Sequence, residues 1–152
     1  MQPLKKQKGA TQTPAPEETT HTLGILSSLF TNLPSDSPAR IRLLAKFVES
    51  NYEKTDKILD IRTSAQARLA VVDRDIDAEK KELLEAAGGV GNEEEAWYLR
   101  RLDGGLYTLQ TVDYILAWIV MEDDGVSTVH LIGAFSNGEL DSNTRIANAQ
   151  SA

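Results

Sequence analysis

The longest continuous pattern in the chain lies between about Tyr52 and Ala87, where Ile58, Ile61, Ala65, Leu69, Val72, Ile76 and Leu83 recur at spacings of three and four. That period puts them on one face of an α-helix. Only Glu79 breaks it, at a position where another apolar residue is due. Asp56, Lys57, Asp73, Arg74, Asp77, Lys80 and Lys81 interleave opposite charges on the remaining surface, which marks the solvated side. At 1.5 Å per residue the helix would reach roughly 50 Å. That is longer than a small globule needs, and it fits either a coiled-coil hairpin or a protruding repeat helix. The other elements read as helices as well.

They are readable on both sides. Leu23, Leu26, Leu29, Phe30 and Leu33 share one face of a helix over Thr20–Leu33, which Pro34 and the following Ser35-Asp36-Ser37 end. Ser37 is then an N-cap with Pro38 at the first helical position, where a missing N–H is harmless. The second helix runs to about Ser50, burying Ile41, Leu44, Phe47 and Val48 and leaving Arg40, Arg42 and Lys46 in water. After the long third helix, Gly88-Gly89-Val90-Gly91 is a turn. Asn92 caps a fourth helix, with Glu95 in capping-box position and Glu93 and Glu94 favourable to the helix dipole. This helix, Glu93 to about Met121, aligns Leu99, Leu102, Leu106, Leu109, Leu116 and Val120. Trp97, Tyr98, Val112, Ile115, Trp118 and Ile119 widen that face, so neighbours are expected on more than one side.

The ends read differently. Residues 1–19 hold Pro, Gln, Thr, Gly and charge with little to bury, and are expected to be disordered. Their Lys5-Lys6-Gln7-Lys8 cluster reads as a solvated basic tip before a weak nuclear-import signal. A helical segment spans 20–124. From 125 to 152 the pattern collapses: Val126 to Phe135 suits a short strand or a weak helix, and the Ser/Asn/Gly-rich remainder is expected to be disordered. No apolar stretch reaches the roughly 18 to 20 residues of a membrane span, and no secretory signal is seen.

With 16 basic and 23 acidic residues, the formal net charge is -7. An acidic balance argues against direct nucleic-acid binding and is compatible with basic peptide partners, although solubility alone also explains it. The absence of cysteine excludes disulfides, thiolate nucleophiles and cysteine-held metals. His21 and His130 lack an i, i+4 partner, the serines lack a nucleophile-elbow context, and the glycine cluster is not followed by Lys-Ser/Thr. No catalytic, metal or cofactor constellation emerges, and the chain reads as non-enzymatic.

The unusual stretch is EEEAWYLRRLDGGLYTLQ, beginning at Glu93. Gly104 and Gly105 inside a strong helix should cost about 1 kcal/mol each relative to alanine, and close helix–helix approach is the expected compensation. Trp97, Tyr98, Arg100, Arg101, Asp103, Gly104, Gly105 and Tyr107 are the candidate residues for packing on a repeat or a partner, with a solvated charged face as the plainer reading of Arg100, Arg101 and Asp103.

This stretch closely resembles a motif of the beta-catenin-like protein 1 family. Leu23-Gly24-Ile25-Leu26, Arg42-Leu43-Leu44-Ala45-Lys46-Phe47-Val48-Glu49, Glu53-Lys54-Thr55-Asp56-Lys57-Ile58-Leu59 and Asp73-Arg74-Asp75-Ile76-Asp77-Ala78-Glu79-Lys80 match in order and spacing, so the likeness covers about Leu23 to Trp118. The resemblance implies an all-α fold of antiparallel helix pairs, an armadillo-like solenoid fragment. It also implies nuclear location and a scaffold role among splicing-complex proteins, through basic, nuclear-localisation-type segments. Family members carry helical repeats before this region and amphipathic helices after it, so the chain reads as a fragment, an alternative product or a truncated gene model. Repeats missing a neighbour expose apolar faces, and the alternative expectation is a self-associating helical hairpin with a structural role.

Overall fold

The computed structural model describes residues 16–87, 93–122 and 132–133. Among them the fold is all-α, built from α1 (Pro16–Asn32), α2 (Pro38–Ala87), α3 (Glu94–Arg101) and α4 (Tyr107–Glu122). A π-turn over Leu102–Leu106 joins α3 to α4.

Helix α1 begins at Pro16, four residues before the expected Thr20 and inside the stretch expected to be disordered. Proline suits a first turn, and Glu17 and Glu18 place negative charge at the positive end of the dipole. The helix ends before Pro34. The Ser37 hydroxyl accepts the Arg40 N–H at 3.2 Å, so Ser37 is the N-cap of α2 with Pro38 following it.

Helix α2 is two helical arms meeting at a corner. Ser50, Asn51 and Tyr52 adopt left-handed φ angles of 55°, 55° and 64°, and Glu49 before them is extended at ψ 161°. None of the three is glycine, and a left-handed L-residue costs roughly 1–2 kcal/mol. The corner divides an arm over 38–48 from an arm over 53–87, close to the boundary expected between the second and third helices. The Thr55 hydroxyl, fully buried, donates to the Phe47 carbonyl at 2.8 Å and ties the arms together.

The first arm does not lie as its periodicity suggests. Arg40, expected in water, is 2% exposed, whereas Ile41 is 60% exposed and Val48 is also exposed. Arg40 is the better core residue because partners await it. Its Nη1 donates to the Phe30 and Leu33 carbonyls at 2.5 and 2.7 Å, which satisfies the C-terminal end of α1. Its guanidinium carbon lies 4.4 Å from the centre of the Trp118 ring.

The main core gathers Leu23 and Phe30 of α1, Phe47 and Ile58 of α2, and Val112, Ile115, Leu116 and Ile119 of α4. The Phe30 and Phe47 rings are 5.7 Å apart. A second buried row runs along the long arm through Ala65, Leu69 and Ile76 to Trp97. These are positions the three-four rhythm marks, and α3, the π-turn and α4 cover them. That strand of structure runs antiparallel to the arm: Arg62 pairs with Asp113, Asp73 with Arg101 and Glu79 with Arg100.

The fourth helix is not continuous. Gly105 has φ 130°, and the Tyr107 N–H donates to the Leu102 carbonyl five residues back. The wider turn rotates the residues before it, so Leu99 leaves the expected stripe and is 53% exposed. Leu102, Leu106, Leu109 and Val120 stay half-buried, Leu116 is buried, and Trp97 is buried as its place on the widened face leads one to expect. Glu93 takes the N-cap position, its side chain making no cap hydrogen bond. The expected Asn92 cap, the turn at 88–91, the lead at 1–15 and most of the 125–152 tail lie outside the described residues. Ile132 and Gly133 are helical.

Candidate functional site

The stretch from Trp97 to Tyr107 divides into a clamp on the long arm, in which Trp97 is buried and Arg100 is exposed, and an outward face. Glu79, the residue that breaks the long apolar row, organises the clamp. Its carboxylate accepts the Trp97 indole N–H at 3.0 Å and the Arg100 guanidinium at 2.7 Å to each oxygen. An apolar residue there would pack on Trp97 but strand its N–H. Hydrogen bonds from Arg100 first, then from Trp97, hold the Glu79 carboxyl below the ordinary carboxylate range. Lys80 Nζ lies 5.1 Å from the centre of the Trp97 ring.

At the next residue, Arg101 Nε donates to Asp73 Oδ1 at 2.6 Å and its Nη2 to Oδ2 at 3.4 Å. This bond with Asp73 raises the Arg101 guanidinium further above its ordinary value. Arg100 and Arg101 therefore both engage the long arm of the same chain.

The glycines lie where the bulge meets that arm. A Cβ on Gly104 would fall 2.6 Å from Val72 Cγ2, and one on Gly105 would fall 2.7 Å from the Ala65 carbonyl oxygen. The backbones approach closely here, as the paired glycines lead one to expect. Gly105 also needs its positive φ to make the π-turn.

Tyr98, Asp103 and Tyr107 face outward, together with Leu99. The bulge carries Tyr107 to the rim of a groove between α1 and the long arm, lined by Gly24, Ile25, Leu29, Arg68, Asp103 and Tyr107. Ile25 is 61% exposed, Gly24 has open space around it, and Glu17 joins the lining near the start of α1. Sequence reasoning placed Leu29 in the core and did not single out Ile25. The signal for a second apolar face on α1 is the pair Ile25 and Leu29, four residues apart. Among the described residues, no group of three His, Cys, Asp or Glu side chains is placed to hold a metal ion. No described helix is long and apolar enough to cross a membrane.

Residues 1–142 match the model of a family described as catenin-beta-like, Arm-motif containing nuclear. The chain is 38% identical to human beta-catenin-like protein 1 over 118 residues, which is 77% of this chain and 20% of that protein. It is 37% identical to the mouse protein over the same length. Against the beta-catenin-like protein 1 homolog of Schizosaccharomyces pombe it is 34% identical over 103 residues, 68% of this chain and 17% of the relative. It thus spans about a fifth of the length of its animal relatives. The helical pairing described above is the armadillo-like architecture that an Arm-motif family requires. The chain belongs to the catenin-beta-like family of Arm-motif proteins.

Proposed function

We propose that this chain is a scaffold segment in the nucleus that binds protein partners in pre-mRNA splicing and engages basic, nuclear-localisation-type segments of them. The family match over 1–142, which takes in α1 to α4, carries the reading. The groove between α1 and the π-turn is the docking place this reading favours. Ile25, Leu29 and Tyr107 offer apolar surface for the stems of lysine and arginine side chains, and Glu17 and Asp103 offer carboxylates for their heads. The net charge of -7 favours encounter with a basic segment. Arg68 in the lining, bonded to the Ser64 hydroxyl at 3.3 Å, disfavours a cation beside it and sets where the basic heads can lie.

The test is a tagged pull-down of the chain from nuclear extract with mass spectrometry, joined to fluorescence-anisotropy titration of a lysine-rich nuclear-localisation peptide. Enrichment of splicing proteins, with peptide affinity that falls as salt rises, supports the reading. A folded chain that recovers no nuclear protein and ignores the peptide overturns it.

A further inference from the structure

The corner at 49–52 stands apart from the rest of the chain. No glycine or proline lies between Pro38 and Gly88, so composition does not oblige α2 to break. It breaks all the same, through three successive left-handed residues that all carry a Cβ. Two ties hold the bend. One is the buried bond from Thr55 to the Phe47 carbonyl. The other is the Glu49 carboxylate between Lys46 and Lys54, at 2.9 and 3.2 Å.

The contacts that close the bend join two blocks of chain, one before the corner and one after it. Arg40 meets Glu122, Thr31 meets Tyr114, and Leu23, Phe30 and Phe47 meet Val112, Ile115 and Ile119. Every one of them can be made again between two copies. Straightening the corner costs the Thr55 tie and the Lys54 half of the Glu49 tie, replaces the left-handed residues by helical ones and restores backbone bonds across the break.

We propose that α2 straightens into one continuous helix and that two copies of this chain exchange α1 with the first arm. The partner is a second copy, and the interface is the core cluster itself rather than an exposed patch. The exchange makes the groove composite, with Ile25 and Leu29 supplied by one copy and Arg68, Asp103 and Tyr107 by the other. It stands independently of any splicing partner, because it rests on the corner and on the contacts that close it.

The test uses the full chain and two pairs of substitutions at exposed corner positions. Ser50→Gly with Asn51→Gly eases the left-handed turn and weakens a straight helix, whereas Ser50→Ala with Asn51→Ala does the reverse. Light scattering across a concentration series reads the dimerisation constant, which should differ between the pairs by at least about tenfold, the alanine pair being tighter. Thr55→Val, which removes a tie, should move it in the same direction as the alanine pair. Since the chain has no cysteine, Ala39→Cys with Ala67→Cys gives a clean pair of spin labels on exposed sites. Diluted with unlabelled chain, the dimer should show an intrachain separation of roughly 42 Å, as a continuous helix rising 1.5 Å per residue sets it. An alanine pair that stays monomeric at every concentration overturns the proposal. So does a dimer that lacks the long distance or responds alike to both pairs, since that is ordinary surface association.

Discussion

Arg40 near the start of α2 and Glu122 at the end of α4 form a two-pronged ion pair, Nε to Oε2 at 3.0 Å and Nη2 to Oε1. The same guanidinium takes up two carbonyls at the end of α1 and stacks on Trp118. One side chain thus joins three helices. Arg40→Met should therefore strand two carbonyls and an acid that is only 17% exposed. The expected loss is about 3–5 kcal/mol, as for breaking a buried pair, or a fall in Tm on the order of 10 °C. Arg40→Lys should recover only part of this, because an ammonium cannot reproduce the fork. Urea melts of the three proteins check it, and equal stability of Arg40→Met and the parent would show that the pair is idle.

The two glycines of the bulge should respond differently to the same substitution. A methyl at Gly104 meets the Val72 side chain, so Gly104→Ala should cost about 1–3 kcal/mol. Val72→Ala in the same chain should return part of that loss. A methyl at Gly105 meets the Ala65 backbone and also sits at φ 130°, so no trimmed neighbour relieves it. Gly105→Ala should cost roughly 3 kcal/mol, steric and torsional terms together. A double-mutant cycle on Val72 with each glycine decides the matter, coupling being expected for Gly104 and not for Gly105.

The long apolar row was legible because Ile58, Ala65, Leu69 and Ile76 are buried by helices that run along it, which is the arrangement periodicity describes. The close approach at Gly104 and Gly105 was legible too, since two glycines in a strong helix require a packing reason. Arg40 was not. No local pattern distinguishes a solvated arginine from one whose acid lies 82 residues away. The π-turn escaped for a related reason: a period of 3.6 is assumed across Leu102–Leu106, and the extra residue in that turn moves Leu99 and Tyr98 out while Trp97 stays in. Glu79 shows the mixed case. Its misfit with the apolar rhythm was visible, but its partners, Trp97 and Arg100, lie on another helix, 18 and 21 residues along the chain, and periodicity within one helix cannot name them.

Acid should loosen the clamp at Glu79. Its folded-state pKa is lowered, so its contribution is present above the unfolded value, near 4.5, and is lost as pH falls through the lower folded value. Glu49, lowered by Lys46 and Lys54, acts in the same direction. Stability measured by urea melts should fall as pH drops below about 4.5, and Glu79→Gln should flatten that fall while lowering stability at neutral pH. An acid limb unchanged by Glu79→Gln would show that the carboxylate adds nothing beyond screened surface charge.

The groove offers a separation of binding from folding. Ile25 and Tyr107 stand at its walls and are exposed, so their substitution removes little buried surface. Ile25→Glu and Tyr107→Glu should each change stability by no more than about 0.5 kcal/mol, as expected for exposed sites. If a lysine-rich segment lays its stems on these side chains, both variants lose that apolar contact, and the added carboxylates only partly replace it by attraction. Ile25→Ala and Tyr107→Ala remove the contact with no compensating charge, so they should weaken peptide binding more than the glutamates do. Anisotropy titrations at two salt concentrations resolve the two contributions: the alanine variants should keep the parent's salt dependence, and the glutamates should steepen it. Binding unaffected by all four substitutions would place the basic segment elsewhere on the chain.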